Sequence, residues 1–275
     1  MLVKTLVEDT TSSPLLNSEH GLSIYIETNN KKTLFDTGAG NLFLKNARKM
    51  NVDIKDVDFA VISHGHYDHG GGLRTFLEEN VNALVYIHKN AFDNHYSKAP
   101  GRNPVNAGVD RSLKWHERIV NTDENYLINK ETELFSNVTG REFFSFCNDS
   151  LYMELDEFMV KDDFRHEQNL LIREAGKMVL FAGCAHNGIV NIMKHVYEEE
   201  GAFPDYAISG FHLFNSSTGK SEQSDVIEGI AKFLAGTNTK FYTGHCTGLE
   251  AYAYLKRIMG DQIQYLETGT VFQIV

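Results

Sequence analysis

The pattern of apolar and polar positions predicts strands and helices in alternation over the first 90 residues. Apolar residues alternate with polar ones from Leu22 to Ile26 and again from Thr33 to Phe35, on either side of a polar Asn-Asn-Lys-Lys segment, which indicates a β-hairpin. Helical periodicity follows from Asn41 to Met50. The apolar run from Val57 to Ile62 is typical of a strand buried on both faces. The chain therefore begins as a mixed α/β protein.

The periodicity weakens from about residue 89 to residue 163, where we expect an insertion with short elements. Beyond it we expect a hairpin over 169–182 and then strands and helices in alternation. The expected helices are Ile189–Glu200, Asp225–Leu234 and Leu249–Met259, and the expected strands are Tyr206–Ser209, Lys240–Thr243 and Thr270–Val275. Runs of strands followed by helices predict an α/β fold of four layers, an αββα sandwich. No linker interrupts the pattern, so we expect one domain over 1–275.

Composition narrows the classes of function. The formal net charge of −11, from 26 basic and 37 acidic side chains, disfavours a nucleic-acid partner. An odd and sparse set of 3 cysteines favours a reducing compartment, with the cytoplasm as the expected location. We expect no signal peptide and no membrane segment, because no apolar run has the required length. The sequence carries no signal for the oligomeric state.

The strongest chemical signal is the segment His64-Gly65-His66-Tyr67-Asp68-His69, which follows the buried strand directly. Four side chains that can bind metal lie within six residues. In an irregular loop, His64 and His66 can chelate one ion while Asp68 and His69 turn towards a second. Imidazole and carboxylate ligands suit zinc, with iron or manganese as alternatives. The segment therefore predicts a site for two divalent metal ions.

This segment resembles the H-x-H-x-D-H signature of the metallo-β-lactamase superfamily. Asp36, which ends the first hairpin, resembles the superfamily's early aspartate, which orients a metal-binding histidine. The late segment Thr243-Gly244-His245-Cys246 resembles the superfamily's final motif, and this implies that His245 completes the second metal site.

The middle of the superfamily pattern differs in this chain. Most members supply a third histidine to the first metal and an aspartate that bridges both ions. Here the corresponding strand end reads Gly183-Cys184-Ala185-His186, with Cys184 in place of the aspartate. We expect His186 to be the third ligand of the first metal, with His166 as the alternative. Cys184 is either a thiolate ligand or a buried packing residue.

A narrower resemblance covers nearly the whole chain. Segments around Glu19, Asp36, His64, Cys184, His212 and His245 resemble the branch named for 7,8-dihydropterin-6-methyl-4-(β-D-ribofuranosyl)aminobenzene-5′-phosphate synthase. Within it, His212 is expected to be a proton donor or substrate contact, with metal ligation or a structural role as alternatives. Glu19 and His20 recur in the resemblance but would otherwise pass for turn residues. The histidines outside any motif are expected to be structural: His88, His95, His116 and His195.

Hydrolysis is the function that these residues favour. Two ions close together activate a shared water, so a metal-bound hydroxide is the expected nucleophile. Asp68 can accept a proton from that water, and His212 can protonate a leaving group. We therefore expect a hydrolase of a small ester, lactone or phosphoester.

Two alternatives remain. The first is a synthase that condenses an activated pterin with an aminobenzene ribofuranosyl phosphate and releases diphosphate. Its phosphorylated, pterin-like substrates would need aromatic and basic partners, for which the sequence offers Phe92, Tyr96, Trp115 and Tyr126, with Arg102 and Arg111. The second alternative is a non-enzymatic metal or redox module. No glutamate replaces His66, which argues against a diiron variant of it.

Overall fold

The computed structural model describes residues 1–274, so Val275, assigned above to the last strand, lies outside the described residues. The helices are α1 (Leu42–Lys49), α2 (Tyr67–Gly70), α3 (Leu73–Glu79), α4 (Ile189–Glu200), α5 (Ser224–Ala235) and α6 (Leu249–Met259). The strands are β1 (Leu2–Val7), β2 (Ser23–Glu27), β3 (Lys32–Phe35), β4 (Phe59–Ile62), β5 (Leu84–His88), β6 (His95–Ser97), β7 (Val105–Asn106), β8 (Ile119–Thr122), β9 (Asn125–Asn129), β10 (Thr132–Phe135), β11 (Leu151–Leu155), β12 (Phe158–Lys161), β13 (Asn169–Glu174), β14 (Lys177–Phe181), β15 (Tyr206–Ile208), β16 (Phe214–Asn215), β17 (Lys220–Ser221), β18 (Lys240–Thr243), β19 (Ile263–Tyr265) and β20 (Val271–Gln273).

Two seven-stranded sheets form the centre of the molecule. The first has the order β20-β1-β2-β3-β4-β5-β8, and the second has the order β19-β18-β15-β14-β13-β10-β9. In the first sheet, β3, β4, β5 and β8 are parallel to one another. In the second sheet, β14, β15, β18 and β19 are parallel. Each sheet therefore combines an antiparallel part with a parallel part, and the parallel strands end at a common edge.

Three apolar cores define the layers. One core lies between the two sheets and includes Phe35 and Phe181. A second joins the first sheet to α1 and α3 through residues such as Phe43 and Phe76, and a third joins the second sheet to α4, α5 and α6. Helices thus cover the outer face of each sheet. The predicted four-layer αββα sandwich is confirmed.

The amphipathic pattern explains how the outer helices pack. In α1, Phe43 and Ala47 are fully buried, whereas Lys45, Arg48 and Lys49 on the opposite side are exposed. Apolar side chains three and four positions apart form such a buried stripe. Full burial of a side chain as large as that of Phe43 stabilises the fold by about 1.5 to 3 kcal/mol. Packing on the sheet therefore stabilises a helix of only 8 residues.

The stretch from 89 to 163 is divided between the main sheets and a smaller one. Strands β8, β9 and β10 extend the two main sheets, whereas β12, β11, β6 and β7 form a separate four-stranded sheet. That smaller sheet and its loops lie beside the edge where the parallel strands end, since Gly108 bridges to His66. No helix within residues 1–274 is both long and apolar enough to cross a membrane.

Candidate metal centre

The candidate metal centre lies at the edge of the sheets where the parallel strands end. The segments directly after β3, β4, β14, β15 and β18 bring side chains to this edge. Residues that are far apart in sequence meet there because parallel strands share one carboxyl edge. Four non-glycine residues in these segments have positive φ angles, namely Asp36, Ala185, His212 and His245. Such backbone strain is concentrated at functional sites.

One group of potential ligands combines Asp68, His69, Cys184 and His245, all of them buried. His69 Nε2 lies 3.1 Å from Cys184 Sγ and 3.2 Å from His245 Nε2. Asp68 Oδ2 lies 3.3 Å from His245 Nε2 and 3.7 Å from His69 Nε2. Ligands at zinc bond lengths of about 2.0–2.3 Å in a tetrahedron are separated by about 3.3–3.8 Å. The group therefore has the dimensions of a metal site.

A second group consists of three histidine rings. The ring centroids of His64 and His66 are 4.7 Å apart, and those of His64 and His186 are 4.8 Å apart. The centroids of His66 and His186 are 4.9 Å apart. The potential ligand atoms of His64, His186 and Cys184 also lie within 4.8 Å of one another. Cys184 thus lies between the two groups.

The carboxylate of Asp36 orients two of these imidazoles. His69 Nδ1 donates to Asp36 Oδ2 over 2.6 Å. The hydroxyl of Ser63 also donates to Oδ2 over 2.8 Å, so it is free to accept from His64 Nδ1, which lies 2.8 Å away. Because both Nδ1 atoms carry the proton, the Nε2 atoms of His64 and His69 keep their lone pairs.

Two further polar partners orient the remaining members in the same way. The amide nitrogen of Asn148 donates to the carbonyl oxygen of His186, so its Oδ1 accepts from His186 Nδ1 over 2.9 Å. The carboxylate of Asp9 accepts from His245 Nδ1 over 2.5 Å. In His186 and His245 as well, Nε2 is therefore the nitrogen available to a metal.

Facing lone pairs indicate the places for cations. His64 Nε2 lies 3.3 Å from His186 Nε2, and His69 Nε2 lies 3.2 Å from His245 Nε2. In the first pair, two lone pairs at this distance in a buried site repel each other, whereas a cation between them attracts both. In the second pair, a metal ion would take the place of the proton that His245 Nε2 carries in the metal-free site. The residues present therefore fit two cations.

The pKa values of the imidazoles agree with ligation. Burial, and then the neighbouring imidazoles, lower the pKa values of His64, His66 and His186 well below the ordinary value, so these rings are neutral near pH 7. Burial also disfavours the His245 cation, but the carboxylates of Asp9 and Asp68 together outweigh it and raise the pKa of His245 well above its ordinary value. A proton and a metal ion compete for His245, so metal binding there releases a proton.

His166, the alternative third ligand, is turned away from the centre. Its Nδ1 accepts the backbone N–H of Gly65 over 2.9 Å, and its Nε2 lies 3.2 Å from Asp162 Oδ2. Its ring centroid is 6.0 Å from that of His64, compared with 4.8 Å for His186. The structure therefore brings His186, rather than His166, against His64.

His212 lies beside the centre with unused hydrogen-bonding capacity. Its ring centroid is 4.2 Å from that of His186, and its φ angle is 47°. Both ring nitrogens are buried and have no hydrogen-bond partner among the described residues. One nitrogen lies within 4.8 Å of Cys184 Sγ and Cys246 Sγ. A buried polar group without a partner needs an explanation, and a ligand in the adjoining cavity supplies one.

A cavity of about 310 Å³ opens above the centre. Its floor includes Asp68, Cys184, His186 and His212, together with His66 and Cys246. Its wall comes partly from the stretch between β6 and β7 and includes Arg102. The metal centre and the cavity therefore form one continuous site.

The aromatic residues proposed above to stack on a flat ring do not line this cavity. Phe92 is buried in the core beneath the first sheet, and the hydroxyl of Tyr96 donates to Glu154. Trp115 is 84% exposed, and Tyr126 borders a different surface depression. Tyr67 and Phe214 line the cavity instead.

Of the two arginines proposed to bind phosphate, only Arg102 reaches the cavity. Arg111 instead donates to Asn94 Oδ1 over 2.7 Å. Because the periodicity of this stretch is weak, the sequence does not show which of the two arginines faces the cavity.

Asp9 contacts the centre, although no sequence pattern predicted it. Asp9 bonds both His245 and His20, whose Nδ1 is 2.8 Å from Asp9 Oδ2. His20 Nε2 is 3.4 Å from Asp68 Oδ2, so His20 belongs to the site, whereas Glu19 accepts from the backbone of Ala39. Asp9 lies in a segment with no motif, and only its acidic character close to the first strand could have drawn attention to it.

Comparison with known proteins agrees with the fold. The family model described as the metallo-beta-lactamase superfamily matches residues 17–135. An uncharacterised protein of Methanocaldococcus jannaschii is 28% identical over 99% of this chain and 100% of its own length. The 7,8-dihydropterin-6-methyl-4-(β-D-ribofuranosyl)-aminobenzene-5′-phosphate synthase of the same organism is 27% identical over 98% of this chain and 96% of its own length.

Solved structures extend the comparison. A crystal structure described as a metal-dependent hydrolase of the beta-lactamase superfamily has a TM-score of 0.82 and 30% identity, covering 100% of this chain and 99% of that chain. The Zn²⁺-bound PqqB of Methylobacterium extorquens has a TM-score of 0.58 at 9% identity over the full length of both chains, which shows the fold alone. Because the metal-dependent hydrolase of the beta-lactamase superfamily is 30% identical over 100% of this chain, the chain belongs to the metallo-β-lactamase superfamily.

Proposed function

We propose that the protein is a metal-dependent hydrolase that binds two divalent ions and acts on a small ester, lactone or phosphoester. Zinc is the metal that we expect first. The observation that carries the proposal is the two pairs of histidine Nε2 atoms that face each other across 3.3 and 3.2 Å. A donor set of imidazole, carboxylate and thiolate suits zinc, with iron and manganese as alternatives. The relative at 30% identity, described as a metal-dependent hydrolase, supports the same class.

In this proposal the first ion is held by His64, His66 and His186, and the second by Asp68, His69 and His245, with Cys184 between them. When bound, two divalent ions lower the pKa of a shared water and polarise an acyl or phosphoryl oxygen.

Asp68 and His212 are the proposed proton carriers. The Oδ2 atom of Asp68 lies between His245 Nε2 at 3.3 Å and His20 Nε2 at 3.4 Å, and Asp68 borders the cavity, so it can accept a proton from water there. His212 also borders the cavity, and its buried nitrogens have no partner among the described residues. It can therefore donate a proton to the oxygen of a leaving group.

The cavity favours one small and anionic substrate. Its volume of about 310 Å³ is at the lower end of ligand sites, which span about 300–1,000 Å³. Among the described residues that line it, Arg102 is the one lysine or arginine. A guanidinium pairs well with phosphate or carboxylate oxygens. We therefore place phosphoesters first among the three substrate classes.

A synthase is the second candidate. The relative named as a synthase is 27% identical to this chain over 98% of its length, which favours this candidate. The same ions would then hold a diphosphate leaving group. The small cavity weighs against it, because two substrates must meet there.

The test compares turnover of zinc-loaded wild type with that of two variants. The substrates are p-nitrophenyl phosphate, p-nitrophenyl acetate and a lactone, alongside diphosphate release from an activated pterin. We expect His212→Asn to lower kcat by about 10²- to 10⁴-fold at unchanged metal content, because a positioned acid is lost. His116→Asn makes the same change away from the cavity and serves as the control. Diphosphate release without ester or lactone hydrolysis would favour the synthase over the hydrolase.

A further inference from the structure

A buried cluster of three imidazoles surrounds one carboxylate oxygen next to the metal centre. Asp162 Oδ2 lies 3.0 Å from His95 Nδ1, 3.2 Å from His166 Nε2 and 3.9 Å from His66 Nε2. The carboxylate of Asp162 and the ring of His166 are completely buried, and His95 and His66 are 1% and 5% exposed. Only His66 belongs to the H-x-H-x-D-H motif, so the other three residues add something that the motif does not contain.

Hydrogen bonding determines which nitrogen of His166 carries the proton. The backbone N–H of Gly65 donates to His166 Nδ1, so the proton of the neutral ring is on Nε2 and points at Asp162. A metal ion among these side chains would need a lone pair on that same Nε2. The cluster is therefore organised around an acceptor carboxylate rather than around a cation.

The carboxylate is held in place from both oxygens. Asp162 Oδ1 accepts the backbone N–H of Phe164 over 2.8 Å, while Oδ2 accepts from His95 and His166. His66 Nε2 lies 3.9 Å from the same oxygen, which is an ion-pair distance rather than a hydrogen bond, and so faces its negative charge. His66 Nε2 is buried and has no hydrogen-bond partner among the described residues, so the charge of the Asp162 carboxylate favours a proton on that nitrogen.

We propose that Asp162, held by His95 and His166, is a positioning residue that directs the proton of His66 to Nε2 and leaves Nδ1 as its metal donor. His66 then differs from His64, His69, His186 and His245, each of which has its Nδ1 held by a polar partner. The inference rests on the metal centre of the proposed function. It links the stretch between β5 and β13, which contains His95 and Asp162, to the geometry of the first metal position.

The chain offers a matched control. Asp163 follows Asp162 in sequence, but its carboxylate is 43% exposed and forms an ion pair with Arg165. Asp162→Asn removes the buried charge and keeps the shape, and Asp163→Asn makes the same change outside the cluster. Asp162→Glu, which restores the carboxylate, tests for rescue.

The first readout is zinc affinity, measured by competition with a chromophoric chelator. Loss of a partner that orients a metal ligand typically lowers metal affinity by about 10- to 100-fold. We expect this loss in Asp162→Asn for one of the two ions, no loss in Asp163→Asn, and partial recovery in Asp162→Glu. Equal affinities in wild type and Asp162→Asn would overturn the inference alone, whereas a wild type that binds no metal would overturn the proposed function with it.

The second readout needs no variant. Long-range ¹H–¹⁵N spectra of the zinc-loaded wild type distinguish a protonated ring nitrogen from a metal-bound one, so they report the tautomer of His66 even if Asp162→Asn fails to fold. Protonated Nε2 and metal-bound Nδ1 are the expected result. Ligation of His66 through Nε2, or a third ion per chain that Asp162→Asn loses, would contradict it.

Discussion

Asp36→Asn is the substitution that should weaken both metal positions at once. The Asp36 carboxylate is completely buried and accepts from Ser63 N over 2.7 Å, Ser63 Oγ over 2.8 Å and His69 Nδ1 over 2.6 Å. Asparagine has nearly the same shape and tolerates the positive φ of 60° at this position. It replaces one acceptor oxygen by a donor NH₂, so the side chain can no longer accept from all three donors, and it lacks the negative charge that strengthens these hydrogen bonds.

The expected loss follows from these contacts. The partner that fixes the tautomer of His69 loses its charge, and the support that reaches His64 through Ser63 weakens with it. We expect affinity to fall by about 10- to 100-fold, or about 1.4 to 2.7 kcal/mol, for each ion. Hydrogen bonds to a buried charge contribute about 1.5 to 3 kcal/mol each, so the free energy of unfolding of the metal-free protein should fall by at least about 2 kcal/mol.

Competition with a chromophoric chelator measures the affinities, and urea unfolding measures the stability. Asp53→Asn is the control, because Asp53 is exposed and caps a short turn through the backbone N–H of Lys55, which asparagine also does. A folded Asp36→Asn protein that binds both ions as tightly as wild type would refute this reasoning.

Three further predictions concern packing, pH and metal removal. In Gly183→Ala, the new Cβ would lie 2.2 Å from Ser63 Oγ, so we expect thermal unfolding to show a loss of about 1–3 kcal/mol, whereas Gly40→Ala, with open space around it, should change little. Burial lowers the pKa of His88 to about 4 from an ordinary 6.5, so its contribution to stability is complete above pH 6.5 and declines as the pH falls towards 4. Between pH 7 and 4.5, the free energy of unfolding in urea should fall by about 2 to 3 kcal/mol more in wild type than in His88→Gln. Equal losses would contradict a lowered pKa for His88. Removing metal with a chelator should lower stability by about 2.7 kcal/mol relative to protein at an ion concentration 100 times the Kd, and an unchanged melting curve would argue against bound metal.

Strongly periodic segments and local motifs were readable from the sequence. Helices α4 and α6 have the bounds that periodicity predicts, because each has one continuous apolar stripe against the second sheet. The ligand motif after β4 was equally clear, since its four donors are consecutive or nearly so. Local signals of this kind need no knowledge of distant contacts.

The elements between residues 89 and 163 were harder to predict. Strand β9 is mostly exposed, so its apolar and polar residues do not alternate with a buried face. Its place at the edge of the second sheet depends on pairing with β10, which no local pattern records. Weak periodicity there reflects edge strands and loops rather than an absence of structure.

The partners that orient the metal histidines were invisible to sequence reasoning for a different reason. Asp9 meets His245 across 236 positions, and Asn148 meets His186 across 38. Such pairs depend on the register and order of strands, so a polar residue gives no sign of its partner. His95, expected to be structural because it lies outside any motif, joins Asp162 for the same reason.

The measurement that tests the central claim most directly is the metal content of the purified protein by elemental analysis, in wild type and in His64→Ala and His245→Ala variants. The facing Nε2 atoms predict about two zinc ions per chain in wild type and fewer in each variant. Wild-type protein that contains no stoichiometric metal, and takes up none on reconstitution with zinc, iron or manganese, would contradict the account.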